Sequence, residues 1–232
     1  MIIRGFGEAG QRKLKAAHVI VAGLGGLGSP ASMYLVAAGV GHLTIIDVQR
    51  VEISNLNRQV LHWHLDVKQS KVGSAIKKLQ AMNPSVEINA KLEKIMPKNV
   101  DGLLRGADVV VDGTDNYRTR YLLNEACVRA RRPFVHGAVE GFVGQLTTIV
   151  PGQGPCLRCI VPKEPPRKPA FPVLGATTGV VGCLQAMETI KLLTGIGRPL
   201  VGRMLFFDGE SANFEEIEVR RNPNCPVCGG GV

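Results

Sequence analysis

The stretch His18-Val19-Ile20-Val21-Ala22-Gly23-Leu24-Gly25-Gly26-Leu27-Gly28-Ser29-Pro30 decides the fold. A β-branched run of strand length ends in glycine, a G-x-G-x-x-G turn follows, and Ser29-Pro30 opens a helical pattern through Met33, Leu35, Val36 and Gly39. Glycines at such a turn let the backbone approach a phosphate, and the free N–H groups of the helix N-terminus favour the anion. Nineteen positions after Gly28, Asp47 ends the next apolar run, Leu43-Thr44-Ile45-Ile46, where an acidic side chain takes ribose hydroxyls. Strand, turn, helix and strand predict a βαβ unit and a parallel sheet with right-handed crossovers. The constellation predicts nucleotide binding at Gly23, Gly25, Gly26, Gly28 and Asp47, with tight helix–strand packing as the other use of such glycines.

Outward from this unit the alternation continues. Residues 70–82 have helical spacing in Val72, Ala75, Ile76, Leu79 and Met82, stopped by Asn83-Pro84. Residues 86–90 and 107–112 read as strands, 121–130 as a helix and 133–136 as a further strand. Residues 142–150 alternate with no helix before them, and the proline-rich segment 161–172 excludes helix and central strand alike, which predicts an extended surface loop. A helix over 182–193 ended by Gly195 and a hairpin from 203–208 and 214–219 complete the chain. The expected class is α/β: a doubly wound, mainly parallel Rossmann-like sheet continued by a C-terminal antiparallel portion.

The composition, 45% hydrophobic and 20% charged over 232 residues, is that of a folded domain. A net charge of +9 suits an acidic partner, whether nucleotide, acidic protein surface or nucleic acid. Basic residues cluster at Arg129, Arg131 and Arg132 and at Arg220 and Arg221, yet no aromatic interleaving accompanies them, so nucleic acid is disfavoured. The first residues contain no apolar run of signal-peptide length, and no segment approaches the roughly 20 apolar residues that cross a bilayer. A cytoplasmic, non-membrane protein is expected.

Two C-x-x-C knuckles, Cys156-Leu157-Arg158-Cys159 and Cys225-Pro226-Val227-Cys228, supply the four thiolates of a tetrahedral zinc site with no open position, hence a structural one. Disulfides or a redox C-x-x-C are the alternatives. Cys127 and Cys183 fall on apolar helical patterns and read as core thiols. His62 and His64 flank Trp63 without a cysteine or acid at ligand spacing, so they read as packing or surface residues.

The nucleotide is identified further along. Ser54-Asn55-Leu56-Asn57-Arg58-Gln59 brings an arginine after the second strand, Lys71 opens the next helix, and Asp112-Gly113-Thr114-Asp115-Asn116 closes a strand at its carboxyl end, where open α/β sheets bind ligands. A lysine, an arginine and an acid at one crevice suit phosphate and Mg²⁺ chemistry better than hydride transfer. In this order, and with both knuckles, the chain resembles the ThiF/MoeB/HesA family of ubiquitin-activating-like adenylyltransferases over nearly its whole length.

The resemblance implies an enzyme, a homodimer, that uses ATP to convert the C-terminal Gly-Gly carboxylate of a small ubiquitin-like carrier protein to an acyl-adenylate. It implies that Gly26 and its neighbours line the phosphates, Asp47 holds the ribose, Arg58 and Lys71 counter the polyphosphate charge, and Asp115 holds Mg²⁺. Ser54, Asn55, Gln59 and Asn116 complete the expected nucleotide site. Residues 1–150 form the nucleotide-binding region and 151–232 the carrier-docking and zinc-binding region of one continuous domain. An NAD-dependent oxidoreductase and a non-catalytic scaffold for a ubiquitin-like protein are the competing readings.

Two departures from the family follow. Many members carry a cysteine in the loop after the first knuckle that bonds covalently to the carrier; counting back from Gly182-Cys183-Leu184-Gln185 puts that position near Lys168, and no cysteine lies between Ile160 and Gly182. Adenylation without an enzyme thioester is the expectation. Relatives also carry an Arg-Gln pair just before the stretch matching Met1-Ile2-Ile3, whose arginine reaches the partner subunit's ATP. Its absence leaves three readings open: a truncated start, substitution by Arg4 or Arg12, or reduced activity. The tail Cys228-Gly229-Gly230-Gly231-Val232 is expected to be a flexible terminus, because its glycine pair is not terminal.

Overall fold

The computed structural model describes residues 3–166 and 172–229. Its helices are α1 (Gly7–Ala16), α2 (Gly28–Ala37), α3 (Lys71–Met82), α4 (Val100–Leu103), α5 (Tyr117–Arg129), α6 (Leu157–Ile160) and α7 (Gly175–Thr194). Its strands are β1 (His18–Ala22), β2 (His42–Ile46), β3 (Glu87–Lys91), β4 (Val109–Asp112), β5 (Phe134–Glu140), β6 (Val143–Ile149), β7 (Arg203–Asp208) and β8 (Asn213–Glu218). They form one eight-stranded sheet in the order β3-β2-β1-β4-β5-β6-β7-β8. Pairings from β3 through β5 are parallel, and β6, β7 and β8 add on antiparallel. The expected class is therefore the observed one.

Strand alternation builds the two layers. Val19 and Val21 of β1 face a core shared with Leu35 of α2 and Leu79 of α3, and Ile20 and Ala22 face one shared with Leu123 of α5 and Phe134. Full burial of a leucine or valine of this kind contributes about 2 kcal/mol against solvent exposure. Register then makes the site: Ala22 pairs with both Ile46 and Asp112, so β1, β2 and β4 end level. Gly23, Asp47 and Gly113 thus emerge side by side at the carboxyl edge of the sheet.

Besides the one-turn α4 and α6, which no local pattern marked, three longer helices differ from the sequence expectation. α1 escaped it because Gly10 and Leu14 alone are buried on a helix rich in charge, too sparse a stripe to show a period. α7 starts at Gly175, seven residues before the expected 182, although Gly-Ala-Thr-Thr-Gly-Val-Val has poor helix propensity. Packing outweighs propensity there: a Cβ on Gly175 would lie 2.2 Å from Asn57 O and one on Gly182 2.5 Å from Pro30 Cγ. α5 begins at Tyr117 rather than 121 because Asn116 caps it. Of the proline-rich segment, residues 167–171, including Lys168, lie outside the described residues, as do residues 230–232 of the tail.

Candidate nucleotide site and metal centre

The glycine turn is held by sterics and by one carboxylate. Gly23 has φ +93, and a Cβ there would meet Gly113 O at 2.6 Å; on Gly28 it would meet Gly23 O at 1.9 Å. Asp47, almost fully buried, accepts from Leu24 N at 2.8 Å with Oδ2 and from Gln49 N at 2.7 Å with Oδ1. It thereby ties the turn to the end of β2 while keeping lone pairs for a ligand hydroxyl. His62, also buried, braces the turn from below: its Nε2 donates to Leu24 O at 3.0 Å and its Nδ1 accepts from Ser74 Oγ at 2.9 Å. Burial holds the imidazole below its ordinary pKa, and so neutral, which agrees with this pairing.

Around the turn the predicted charges converge. Lys71, the first residue of α3, is buried and donates from Nζ to Gln49 Oε1 at 2.7 Å. Burial lowers its pKa; Asp47 and Asp115 pull it back up, Arg58 pushes it down and Glu52 raises it. Lys71 thus lies within electrostatic reach of Asp47, Asp115, Arg58 and Glu52. Arg58 Nη1 donates to Ser54 O and Asn57 Oδ1, both at 2.9 Å, and the Asn57-Arg58 backbone packs against Gly175 at the start of α7. Gln59 is buried 3.8 Å from where a Gly25 Cβ would stand, and its Oε1 has no hydrogen-bond partner among the described residues. A buried acceptor without a donor is costly unless a ligand supplies one.

The four knuckle cysteines meet. Their Sγ atoms all lie within 4.8 Å of one another, with Cys156–Cys225 at 3.6 Å and Cys159–Cys228 at 3.4 Å. A disulfide requires about 2.05 Å. Sulfurs at about 2.3 Å from a tetrahedral zinc stand roughly 3.8 Å apart, so the cluster fits zinc. Asn222 N donates to Cys159 Sγ at 3.4 Å, as an outer-shell group of a thiolate centre does. Cys127 and Cys183 stand apart from the cluster, and burial raises the pKa of both thiols.

The ThiF family profile matches residues 1–227. The chain belongs to the ThiF family. It is 46% identical to the sulfur carrier protein adenylyltransferase of Thermus thermophilus, covering 99% of this chain and 88% of that one. It is 47% identical to the SAMP-activating enzyme E1 of Haloferax volcanii, covering 97% and 86%. Among solved structures it resembles E. coli MccB with AMPCPP and MccA, at a TM-score of 0.86 and 26% identity over 95% of this chain and 69% of that one. Like the Thermus thermophilus relative, it is an adenylyltransferase, and the oxidoreductase and scaffold readings fall away.

Within this ThiF-family fold, the structure gathers Gly23, Gly25, Gly26, Gly28, Asp47, Arg58, Gln59, Lys71 and Asp115 about one edge, whereas three other expected binders make local hydrogen bonds. Asn55 Oδ1 accepts from Glu52 N at 3.1 Å, and Asn116 Oδ1 accepts from Thr119 N at 2.9 Å as the cap of α5. Ser54 Oγ donates to Glu52 Oε2 at 3.3 Å. Residues the sequence did not reveal also line the site: Gln49, Glu52 and Thr178, the last with a side chain 2.8 Å from where a Gly26 Cβ would stand. Only the early start of α7 could have pointed to Thr178. Arg12 is paired with Glu8 on α1. No helix among the described residues is long and apolar enough to cross a membrane.

Proposed function

We propose that the chain uses ATP to adenylate the C-terminal Gly-Gly carboxylate of a small ubiquitin-like sulfur carrier, without an enzyme thioester. The observation that carries this reading is a buried lysine, Lys71, within electrostatic reach of Asp47, Asp115 and Arg58, in a fold whose glycine turn leaves no room for side chains at Gly23 and Gly28. A carboxylate oxygen of the carrier forms a bond to the α-phosphorus, the bond from that phosphorus to the bridging oxygen breaks, and pyrophosphate leaves with the electron pair. The attacking group is ionised at neutral pH, so no general base is required. What the reaction needs is positive charge beside three crowded anions, and Arg58 and Lys71 provide it.

Asp115 would hold Mg²⁺, which neutralises phosphate charge when bound. The Cys156, Cys159, Cys225 and Cys228 set would hold zinc in a structural role. Cys183 is a poor nucleophile in its partly buried place, and the segment between Ile160 and Gly182 contains no cysteine, which supports direct use of the adenylate by its acceptor. We read the enzyme as a homodimer. Tyr34 on α2 and Met187 on α7, helices that pack together, each expose a large side chain at 57%.

The test is exchange of labelled pyrophosphate into ATP in the presence of a Gly-Gly-terminated carrier. Carrier-dependent exchange that disappears in Asp115→Ala is the expected result. Exchange that ignores the carrier, or a thiol-sensitive carrier–enzyme conjugate in the mass spectrum, would overturn the carrier or the thioester part respectively.

A further inference from the structure

Beneath the Thr114-Asp115 turn lies a buried polar cluster that the adenylation reading leaves without a task. Asp112, the last residue of β4, is fully buried. Its Oδ1 accepts from Thr114 N at 3.0 Å and from Thr114 Oγ1 at 2.7 Å. Its Oδ2 accepts from Nδ1 of His136 on β5 at 2.7 Å, with Arg120 Nε of α5 at 3.6 Å. A carboxylate only accepts, so Nδ1 carries the proton and the imidazole donates from that side. Arg120 closes the loop by donating from Nη2 to Thr114 O at 2.8 Å. The carbonyl and the N–H of Thr114 are thus both held, one by Arg120 and the other by Asp112.

The cluster is closely packed, with His136 Nε2 and Arg120 Nε left without a hydrogen-bond partner among the described residues. His136 is fully buried and stacks on Phe134, with ring centroids 6.3 Å apart, and Arg120 lies against the Tyr117 ring at 5.1 Å. From the opposite face of the sheet, Gln185 of α7 donates from Nε2 to Asp112 O at 2.8 Å and to Val135 O at 3.2 Å, which fixes β4 against β5 at this level. Placing a carboxylate, a guanidinium and an imidazole in the interior carries a desolvation cost, and apolar side chains of similar volume would join β4 to β5 without it. The donors and acceptors converge instead on the one residue that precedes Asp115. Asp115 is itself exposed on the crevice rim, with Asn116 Nδ2 at 3.2 Å from its Oδ1, so its aim depends on the turn beneath it.

We propose that His136 and Arg120 are positioning residues for the adenylation site: acting through Asp112, they clamp the Thr114-Asp115 turn so that the Asp115 carboxylate faces the Lys71 side of the crevice. This rests on the adenylation reading above. His136 is the member whose chemistry can be changed most cleanly, since asparagine offers an N–H donor near the Nδ1 position and leucine offers volume without a donor.

The experiment compares His136→Leu, His136→Asn, Asp115→Asn and the double variant His136→Leu/Asp115→Asn. Two quantities are read: the affinity for ATP by calorimetry with and without Mg²⁺, and carrier-dependent pyrophosphate exchange. His136→Leu is expected to erase most of the gain in ATP affinity that Mg²⁺ gives the wild type and to lower kcat about tenfold with little change in the KM for carrier. His136→Asn is expected to restore most of both. In the Asp115→Asn background His136→Leu should have no further effect, because a residue that acts through another loses its influence when that other is gone. If His136→Leu does not fold, Arg120→Met carries the same expectation in the same cycle. Multiplicative losses in the double variant, or a lower Tm with unchanged Mg²⁺ dependence and kcat, would overturn the positioning role and leave adenylation intact. A wild type with neither Mg²⁺-dependent ATP binding nor exchange would overturn the adenylation reading and the inference with it.

Discussion

Strands β1 and β8 belong to the same sheet and live in different worlds. Four of the five residues of β1 are buried between two helix layers, whereas all six of β8 are exposed at the sheet edge. The parallel half is held by its core, and its carboxyl edge can therefore carry strained glycines and a buried lysine. The antiparallel half has little core of its own beyond Leu146, Leu200 and their neighbours. It is secured by the cysteine cluster, which packs Cys156, Cys225 and Cys228 into the core formed by α5 and Phe134. Lys71 and Asp47 sit where burial is deep, and the cysteine cluster joins the C-terminal segment to α6 beyond the antiparallel strands.

Removing the tie should have the largest effect. In Cys225→Ser/Cys228→Ser, or after prolonged chelation, we expect zinc content near one per chain to fall to zero and Tm to drop by roughly 10 °C or more, since structural zinc contributes folding energy directly. Hydrogen exchange should rise in β7 and β8 before β1, and equal loss in both halves would show that the cluster supports the whole sheet. Next comes Gly28→Ala. Its Cβ would collide with Gly23 O, so about 3 kcal/mol of stability and most ATP affinity should be lost, as denaturant titration and calorimetry would reveal.

The pH response should be smaller and confined to the parallel half. Burial, the largest cause in each case, depresses the pKa of His62 and of His136. As pH falls below about 6.5 the unfolded chain takes up protons that the folded chain does not, so stability is complete above that value and is lost below it. Tm should therefore decline by a few degrees between pH 7 and pH 5.5, and His62→Gln should flatten the slope. The smallest effect belongs to Phe214→Ser on β8: half exposed, it should cost about 1 kcal/mol or less, and a larger loss would mean that β8 is better anchored than its exposure indicates.

How much of this was legible depends on the range of the interaction. The glycine turn, Asp47 and the strand-helix alternation could be read because each is a local pattern with its own period or spacing. Lys71, Arg58 and Asp115 could be named because charged residues after strand ends suit a crevice, though nothing in their separations says that they share one. The extent of α7 could not be read: residues 175–181 are helical because Gly175 fits beside Asn57 and Gly182 beside Pro30, contacts more than a hundred residues apart in sequence. Asn55 and Asn116 were expected at the ligand, and their acceptor oxygens serve the backbone instead, as asparagine often does at helix starts.

The sequence by itself determined the fold class, the nucleotide turn and the identity of the four zinc-ligand candidates, because glycine sterics, hydrophobic period and C-x-x-C spacing act over a few residues. Tertiary structure alone decided which charges meet, that Cys156 and Cys159 face Cys225 and Cys228 across 69 residues, and that His136 reaches Asp112 beneath the Asp115 turn. Those pairings follow from strand order and register, and the packing of the whole chain sets both.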